Sequence, residues 1–340
     1  MGGVAVHQPK HLADGFADEP HTFWFRNHRR KPNVCLLAAT SDVYDVATMN
    51  RFCFACAGIF TAALLHAAAA TNAALVSTYS GSVSYTGEGE VTRHGKDHGD
   101  LSTSLTRASY VVSGAINEQW RWSAGPAFEY SHFEASKNSL IPTEGYATAL
   151  QLGLRWQINE KWAVRGDIRP GLYTDYKDIS GSDFNAPFIA AVTYSSSSNL
   201  LWVLGIGVNL RSDLGTIGGP GVQWRFAEDW TLNLILPKPT IDYSLTRQLD
   251  LYAGGEWRSI AFRVSENFGS SRGRPALNDD DFTYRELRGV AGLRWKIARS
   301  FQLDVEGGYA FNRRAEFRDA DVTIKVDGAP FVQLGVGGTF

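Results

Sequence analysis

LRWQINEKWAVRGDI, residues 154–168, sets a polar turn between two tryptophans. Reading back from that turn, Ile158, Trp156, Leu154, Leu152, Leu150, Thr148 and Tyr146 alternate with Gln157, Arg155, Gly153, Gln151, Ala149 and Ala147. Side chains of a strand point alternately to opposite faces, so this spacing predicts a β-strand and excludes a helix. The same phrase returns as GAINEQWRWSA (114–124) and VQWRFAEDWTLNL (222–234), with weaker echoes in SLTRQLDLYA (244–253) and RWKIARSFQLDV (294–305). Each echo joins two segments of period two. Trp120, Trp122, Ala124, Pro126, Phe128 and Tyr130 oppose Arg121, Ser123, Gly125, Ala127 and Glu129; Leu287, Gly289, Ala291, Leu293, Trp295 and Ile297 oppose Arg288, Val290, Gly292, Arg294 and Lys296.

These segments run 10–14 residues, against about 5–6 for a typical soluble strand. Strands tilted across a bilayer need about 9–11. The connections also alternate. Short ones lie near 116–119, 159–161, 195–199, 227–229, 246–248 and 298–300, and longer ones near 87–100, 136–144, 178–185, 212–219, 266–282 and 315–328. Short turns at one end and long loops at the other describe a transmembrane barrel. The expected fold is therefore all-β, a transmembrane antiparallel up-and-down β-barrel of about 14 strands, with 12 as the main alternative and LPKPT (236–240) as an unusually short outer turn. Eight of the nine tryptophans beyond residue 100 lie within three residues of a short turn: Trp120, Trp122, Trp156, Trp162, Trp202, Trp224, Trp230 and Trp295, with Trp257 the exception. Indole prefers the headgroup level of a membrane, so these eight are expected to form an interfacial girdle.

From Met49 the chain reads MNRFCFACAGIFTAALLHAAAATNAAL, a short basic start, an apolar run and a small-residue cleavage site. That is the pattern of an export signal. All three cysteines, Cys35, Cys53 and Cys56, precede the barrel, which leaves its body without disulfides or thiolate metal sites. Residues 1–48 are expected to be an over-extended non-native leader, 49–73 the signal peptide and 74–340 the barrel. A net charge of −2 gives no reason to invoke nucleic acid. The last strand, PFVQLGVGGTF, alternates to a terminal Phe340, a candidate assembly signal.

The stretches EDWTLNLILPKPTIDYSLTRQLDLYAGGEWRSIAFRV (228–264) and YRELRGVAGLRWKIARSFQLDVEGGYAFNRR (284–314), with Phe340, resemble a family of Gram-negative outer membrane β-barrels without assigned function. The resemblance implies compartment and fold, mainly over 212–340, and carries no catalytic or binding residue.

On the polar rows stand Arg121, Glu129, Arg155, Arg165, Asp167, Arg169, Asp175, Arg225, Asp250, Glu256, Arg258, Arg288, Arg294, Asp304 and Glu306, all expected to face the lumen. They could sort solutes in an open pore or pair across strands and fill a closed one. The expected function is a porin-like channel passing small solutes. A closed barrel with a structural or surface-interaction role is the alternative, and a lipid-modifying enzyme stands behind it. The expected partners are outer membrane lipid, lipopolysaccharide and the barrel assembly machinery, with no cofactor. Other motifs carry less. Arg165-Gly166-Asp167 is a strand rather than an adhesion loop; His94, Asp97, His98 and Asp100 lie in a Gly-rich stretch expected to be a solvated loop, not a metal site; and Asn278–Asp281 reads as an exposed acidic loop. His132 is the one histidine near a strand end, and an interfacial side chain is its plainer reading. Pro126, Pro170, Pro187 and Pro220 should mark bulges, kinks or strand ends, because proline cannot donate to a ladder. With the low wall at Pro237–Pro239 they raise the idea of a lateral opening.

Overall fold

Alternation of apolar with small or charged residues continues from Val76 to Thr339, and the backbone follows it as fourteen antiparallel strands. The computed structural model describes residues 75–340 apart from 137, 138, 213 and 299, so the leader 1–48 and signal 49–73 lie outside the described residues. In chain order the strands are β1 (Val76–Arg93), β2 (Lys96–Ala115), β3 (Trp120–Ala135), β4 (Glu144–Gln157), β5 (Trp162–Ile168 and Gly171–Thr174), β6 (Phe184–Asn185 and Phe188–Ser197) and β7 (Leu200–Val208). There follow β8 (Thr216–Arg225), β9 (Trp230–Asn233), β10 (Thr240–Ser244), β11 (Leu249–Arg263), β12 (Asp281–Ala298), β13 (Phe301–Phe317) and β14 (Val322–Val326 and Ala329–Thr339). Each pairs with its chain neighbours, and β1 pairs with β14 from Thr78↔Thr339 to Thr92↔Lys325, which closes the barrel.

The recurring phrase is the short turn, and its chemistry is local. Asn159 Oδ1 accepts from the N–H groups of Lys161 (2.9 Å) and Trp162 (3.0 Å), and Asn117 Oδ1 does the same for Gln119 and Trp120. Thr246 Oγ1 takes this role before Leu249. A side-chain acceptor two or three residues ahead of the returning strand mimics a backbone turn, and the phrase carries it at three of these hairpins. The tryptophans that follow point outward. Trp120 stacks on Trp156 with ring centroids 5.4 Å apart, Trp162 packs on Tyr194 and Trp230 on Tyr243. Above them the outer face stays apolar and bare, with Leu204 62% and Val332 63% exposed.

Two of the expected loops are strands instead. Residues 87–100 form the outer ends of β1 and β2, joined by a two-residue turn in which His94 (φ 52°) and Gly95 (φ 72°) are both left-handed. That is the turn whose twist matches a hairpin. Likewise 315–328 is mostly strand, turning only between Phe317 and Val322. Hydrophilic composition concealed both, since these stretches stand above the apolar band. Pro170 and Pro187 do interrupt β5 and β6, and their carbonyls accept from Leu150 and Arg169.

The long strands enclose the core. Phe133, Phe262, Phe282 and Phe317 interlock at 5.1–6.3 Å between ring centroids, joined by Val91, Leu101, Tyr284 and Ile324 and capped by Leu140, Phe268 and Leu277 from the loops. Beneath this cluster lies an ionic layer. Arg313 donates to Tyr284 Oη (2.8 Å) and to the carbonyls of Gly87, Leu101 and Asp327. Charges so deeply buried are tolerable only when paired and hydrogen-bonded.

Candidate functional site

The wall is complete around most of the circumference and fails in one place. β8 pairs with β7 from Thr216 to Trp224 but with β9 only from Gln223 to Arg225, plus one bond from Leu234 N to Val222 O (2.7 Å). On the far side β11 pairs with β12 along its whole length but with β10 only from Asp250 to Gly254, extended by bonds from Gly255 and Trp257 to the carbonyls of Pro239 and Pro237. Above those bonds, 216–220 of β8 and 258–262 of β11 have no strand partner on this side and flank a gap in the wall. At the outer end of β11, Thr174 at the end of β5 pairs with Arg263, and Asp175 N donates to Arg263 O (3.2 Å).

Unpaired strand edges are costly in hydrocarbon. The sequence lowers the cost here. Arg225 N bonds toward β7 and Val222 O toward β9, so by alternation residue 220 directs its backbone at the gap. That residue is Pro220, which has no N–H to leave unsatisfied. The linker that forms the sill carries two further prolines, Pro237 and Pro239.

Behind the gap the inner rows of β6–β8 are small and apolar: Ile189 faces Gly207, Ala191 faces Gly205, and Gly207 and Gly205 face Ile217 and Gly219. A Cβ added at Gly205 or Gly207 meets nothing nearer than 3.7 Å. Ile189 is 53% and Ile217 38% exposed although both point inward. The result is an apolar inner surface on β6–β8, beside the unpaired edge of β8 and below the filled aromatic end.

The polar residues divide by height. In the ionic layer, Arg258 bonds Ser84 (2.8 Å), Glu256 and Gln333 (2.7 Å), Arg288 bonds Glu286 (2.6 Å) and Thr86 (2.9 Å), and Arg107 bonds Glu129 (2.6 Å). Nearer the short turns, Arg121, Arg155 and Arg165 stand in one cross-strand row, with Arg165 held by Asp167 (2.6 Å). The opposite wall is acidic and paired: Asp250 with Lys296 (2.7 Å), Asp304 with Arg294 (3.5 Å), and Tyr252 donating to Asp304 (2.6 Å) and Glu306 (2.9 Å). Arg225 faces Thr231 on the inner row, and Arg169 is exposed at the break in β5. Asp175 is not on a barrel wall. It lies past the end of β5, buried, accepting from Ser265 N (3.2 Å), because the strand ends at Thr174. Sequence reading missed Lys238, which reaches from the sill to pair with Glu306 and lies over the Tyr252 ring. A lysine between two prolines was the available signal.

Asn278–Asp281 is not an exposed loop either. Asp280 is fully buried and accepts from the N–H groups of Asp319 (2.8 Å) and Ala320 (3.0 Å), and burial pushes its carboxyl above the usual carboxylate range. Asp281 pairs with Arg263 and with Arg211 (3.3 Å each), while Asp279 pairs with Arg263 (2.7 Å), whose hydrogen bond holds that carboxyl low. Arg211 belongs to the 209–215 loop and also donates to Phe184 O, so this cluster ties that loop beside the top of the gap. His132 points outward, its ring 6.4 Å from Tyr130, with Ser104 directly opposite it on β2 and Glu144 directly opposite on β4. Glu144 is engaged by the Tyr146 hydroxyl (2.8 Å), and His132 Nδ1 is buried without a hydrogen-bond partner among the described residues.

Residues 66–326 match the model of a family described as a domain of unknown function, DUF6268. No curated protein matches the chain by sequence. Among solved structures, it is similar to the deltaS2S3 mutant of the TodX monoaromatic hydrocarbon channel, with 9% identity, 79% of this chain and 91% of that chain covered, and a TM-score of 0.46. An outer membrane channel from Pseudomonas putida F1 gives 11%, 80%, 97% and 0.43, and the Ralstonia pickettii toluene transporter TbuX gives 9%, 79%, 90% and 0.36. Likenesses this distant carry no argument about substrate.

Proposed function

We propose, from the premise that the chain belongs to the DUF6268 family and that the family's description names no activity, an outer membrane channel whose outer exit is sideways through the wall. The short turns face the periplasm and the long loops the outside. The observation that carries the reading is the gap between 216–220 and 258–262, with the apolar inner surface of Ile189, Ile217, Gly205 and Gly207 beside it. A porin-like passage running straight through fits less well, because the aromatic cluster fills the lumen above the gap. The charged rows nearer the periplasm then form a polar vestibule, and the solute class that suits both is small and weakly polar to apolar.

Entry of a labelled small aromatic hydrocarbon into cells carrying the protein tests this. Replacing both Gly205 and Gly207 by leucine crowds that surface and should cut entry at least fivefold while the folded barrel persists. Unchanged entry, or entry that needs only the charged rows, defeats the proposal. Large single-channel conductance steps for simple salts, insensitive to the two leucines, favour the porin-like reading instead.

A second reading rests on the Ser104–His132–Glu144 row on the outer face. A hydroxyl, an imidazole and a carboxylate in that order are the parts of an activated nucleophile. Against it, no hydrogen bond joins the three among the described residues. Acyl release from phospholipid or glycolipid that is lost in both Ser104→Ala and His132→Ala supports it; release indifferent to both removes it.

A further inference from the structure

On the outer face of the long wall, Arg285 of β12 lies directly opposite Arg314 of β13, and Arg314 directly opposite Lys325 of β14. Like charges in direct cross-strand register repel, yet three stand in one row. Only Arg285 is neutralised, by Glu316 at 2.6 Å. Arg314 donates to Asn312 Oδ1 (3.1 Å), and neither it nor the exposed Lys325 forms an ion pair among the described residues.

Height decides what the pair would meet. The inward neighbours of the row are core: Tyr284, Ala315, Ile324 and Val326 are buried. Directly below it on the outside the surface is apolar, with Phe311 45%, Tyr309 51% and Val332 63% exposed. A cation row immediately above a hydrocarbon-facing band sits at headgroup level. A guanidinium binds phosphate through parallel N–H···O bonds and an ammonium adds a point charge beside it.

We propose that Arg314 and Lys325 form a binding site for a phosphate carried on a glycolipid headgroup of the outer leaflet. The inference rests on the outer membrane placement above but not on the lateral exit. A bound phosphate removes the like-charge repulsion and, with acyl chains against Phe311 and Val332, fixes the lipid at this face.

Native mass spectrometry and thermal unfolding of the full chain in phosphatidylcholine nanodiscs, with lipopolysaccharide added, test it. The native protein should retain glycolipid and unfold at a higher temperature with it. The Arg314→Gln, Lys325→Gln double variant should bind at least fivefold more weakly, with Arg314→Lys intermediate and Lys161→Gln, in a short turn, unchanged. Heat-dependent migration on gels verifies that each variant is folded. Equal retention by the double variant overturns the site, as does equal binding of enzymatically dephosphorylated glycolipid. Tight binding of inorganic phosphate alone overturns the lipid assignment. Hydrocarbon entry measured on the same double variant should be unchanged, so that loss of the glycolipid and failure of the channel are separate results.

Discussion

The long wall and the low wall of this barrel solve opposite problems. β1–β4 and β11–β13 run 14–20 residues and, with the broken β14, enclose aromatic and ionic side chains with almost no exposure. β9 and β10, by contrast, are 4 and 5 residues long and stand beside an inner surface of glycine, alanine and exposed isoleucine. One side spends its strand length on packing; the other withholds it, and a gap appears where pairing stops. With the proposed lateral exit, the difference assigns stability and passage to different arcs of one sheet. Substitutions in the long wall should therefore move stability, and those in the low wall should move transport.

The sharpest test of that division is Phe282→Ala, which removes the ring that touches Phe133, Phe262 and Phe317. It should destabilise by about 3–5 kcal/mol, the range for a large buried aromatic, read as a lower urea midpoint in vesicles. Next, Glu286→Gln leaves Arg288 short of its buried carboxylate and Arg313 without its nearby charge (3.9 Å). A loss of about 3 kcal/mol is expected, because an uncompensated buried charge costs more than the pair contributes. If either change leaves the midpoint alone, the long wall is not the stabilising arc.

Gly207→Leu in the low wall should behave in reverse, reducing hydrocarbon entry severalfold with a stability change under about 1 kcal/mol, since the site has room beyond 3.7 Å. A large loss of stability there would erase the contrast. The smallest effect is electrostatic. Arg263 holds the Asp279 carboxyl below its ordinary value, so the pair contributes stability above about pH 4 and loses it as the pH falls through the lowered value. Asp279→Asn should lower the melting temperature slightly at pH 7 and make no difference near pH 2. Because Asp279 is half-exposed, the effect should stay below about 1 kcal/mol.

Legibility in the sequence follows the same division. Period two, turn spacing and tryptophan placement report directly on long regular strands, and from them the all-β barrel and its fourteen strands could be read. Three of the short turns share an Asn or Thr acceptor ahead of the returning strand, at Asn117, Asn159 and Thr246. Less was legible where tertiary contacts set the outcome. Nothing in NDDD announces that Asp280 caps the backbone of Asp319 and Ala320. Hydrophilic residues at 87–100 suggested a loop because polarity marks height above the membrane as well as irregularity. Alternation placed charged residues on one row but could not say which heights of that row are filled. The low wall left a trace in its prolines, yet the gap itself is a matter of which strands reach equally far, and no single strand contains that information.

Arg313 carries one more consequence. Its guanidinium, on the penultimate strand, bonds carbonyls of Gly87 in β1, Leu101 in β2 and Asp327 beside β14. Those acceptors lie on both sides of the seam where the first strand meets the last. While that seam is open the guanidinium holds Tyr284 and Asp327 on its own side; only when it shuts do the carbonyls of Gly87 and Leu101 complete its shell. A cation of this kind acts as a completion check, favouring a fully closed cylinder over a nearly closed one. It offers the cell a reason for the last strand to zip in a single step rather than linger half-joined beside unpaired neighbours.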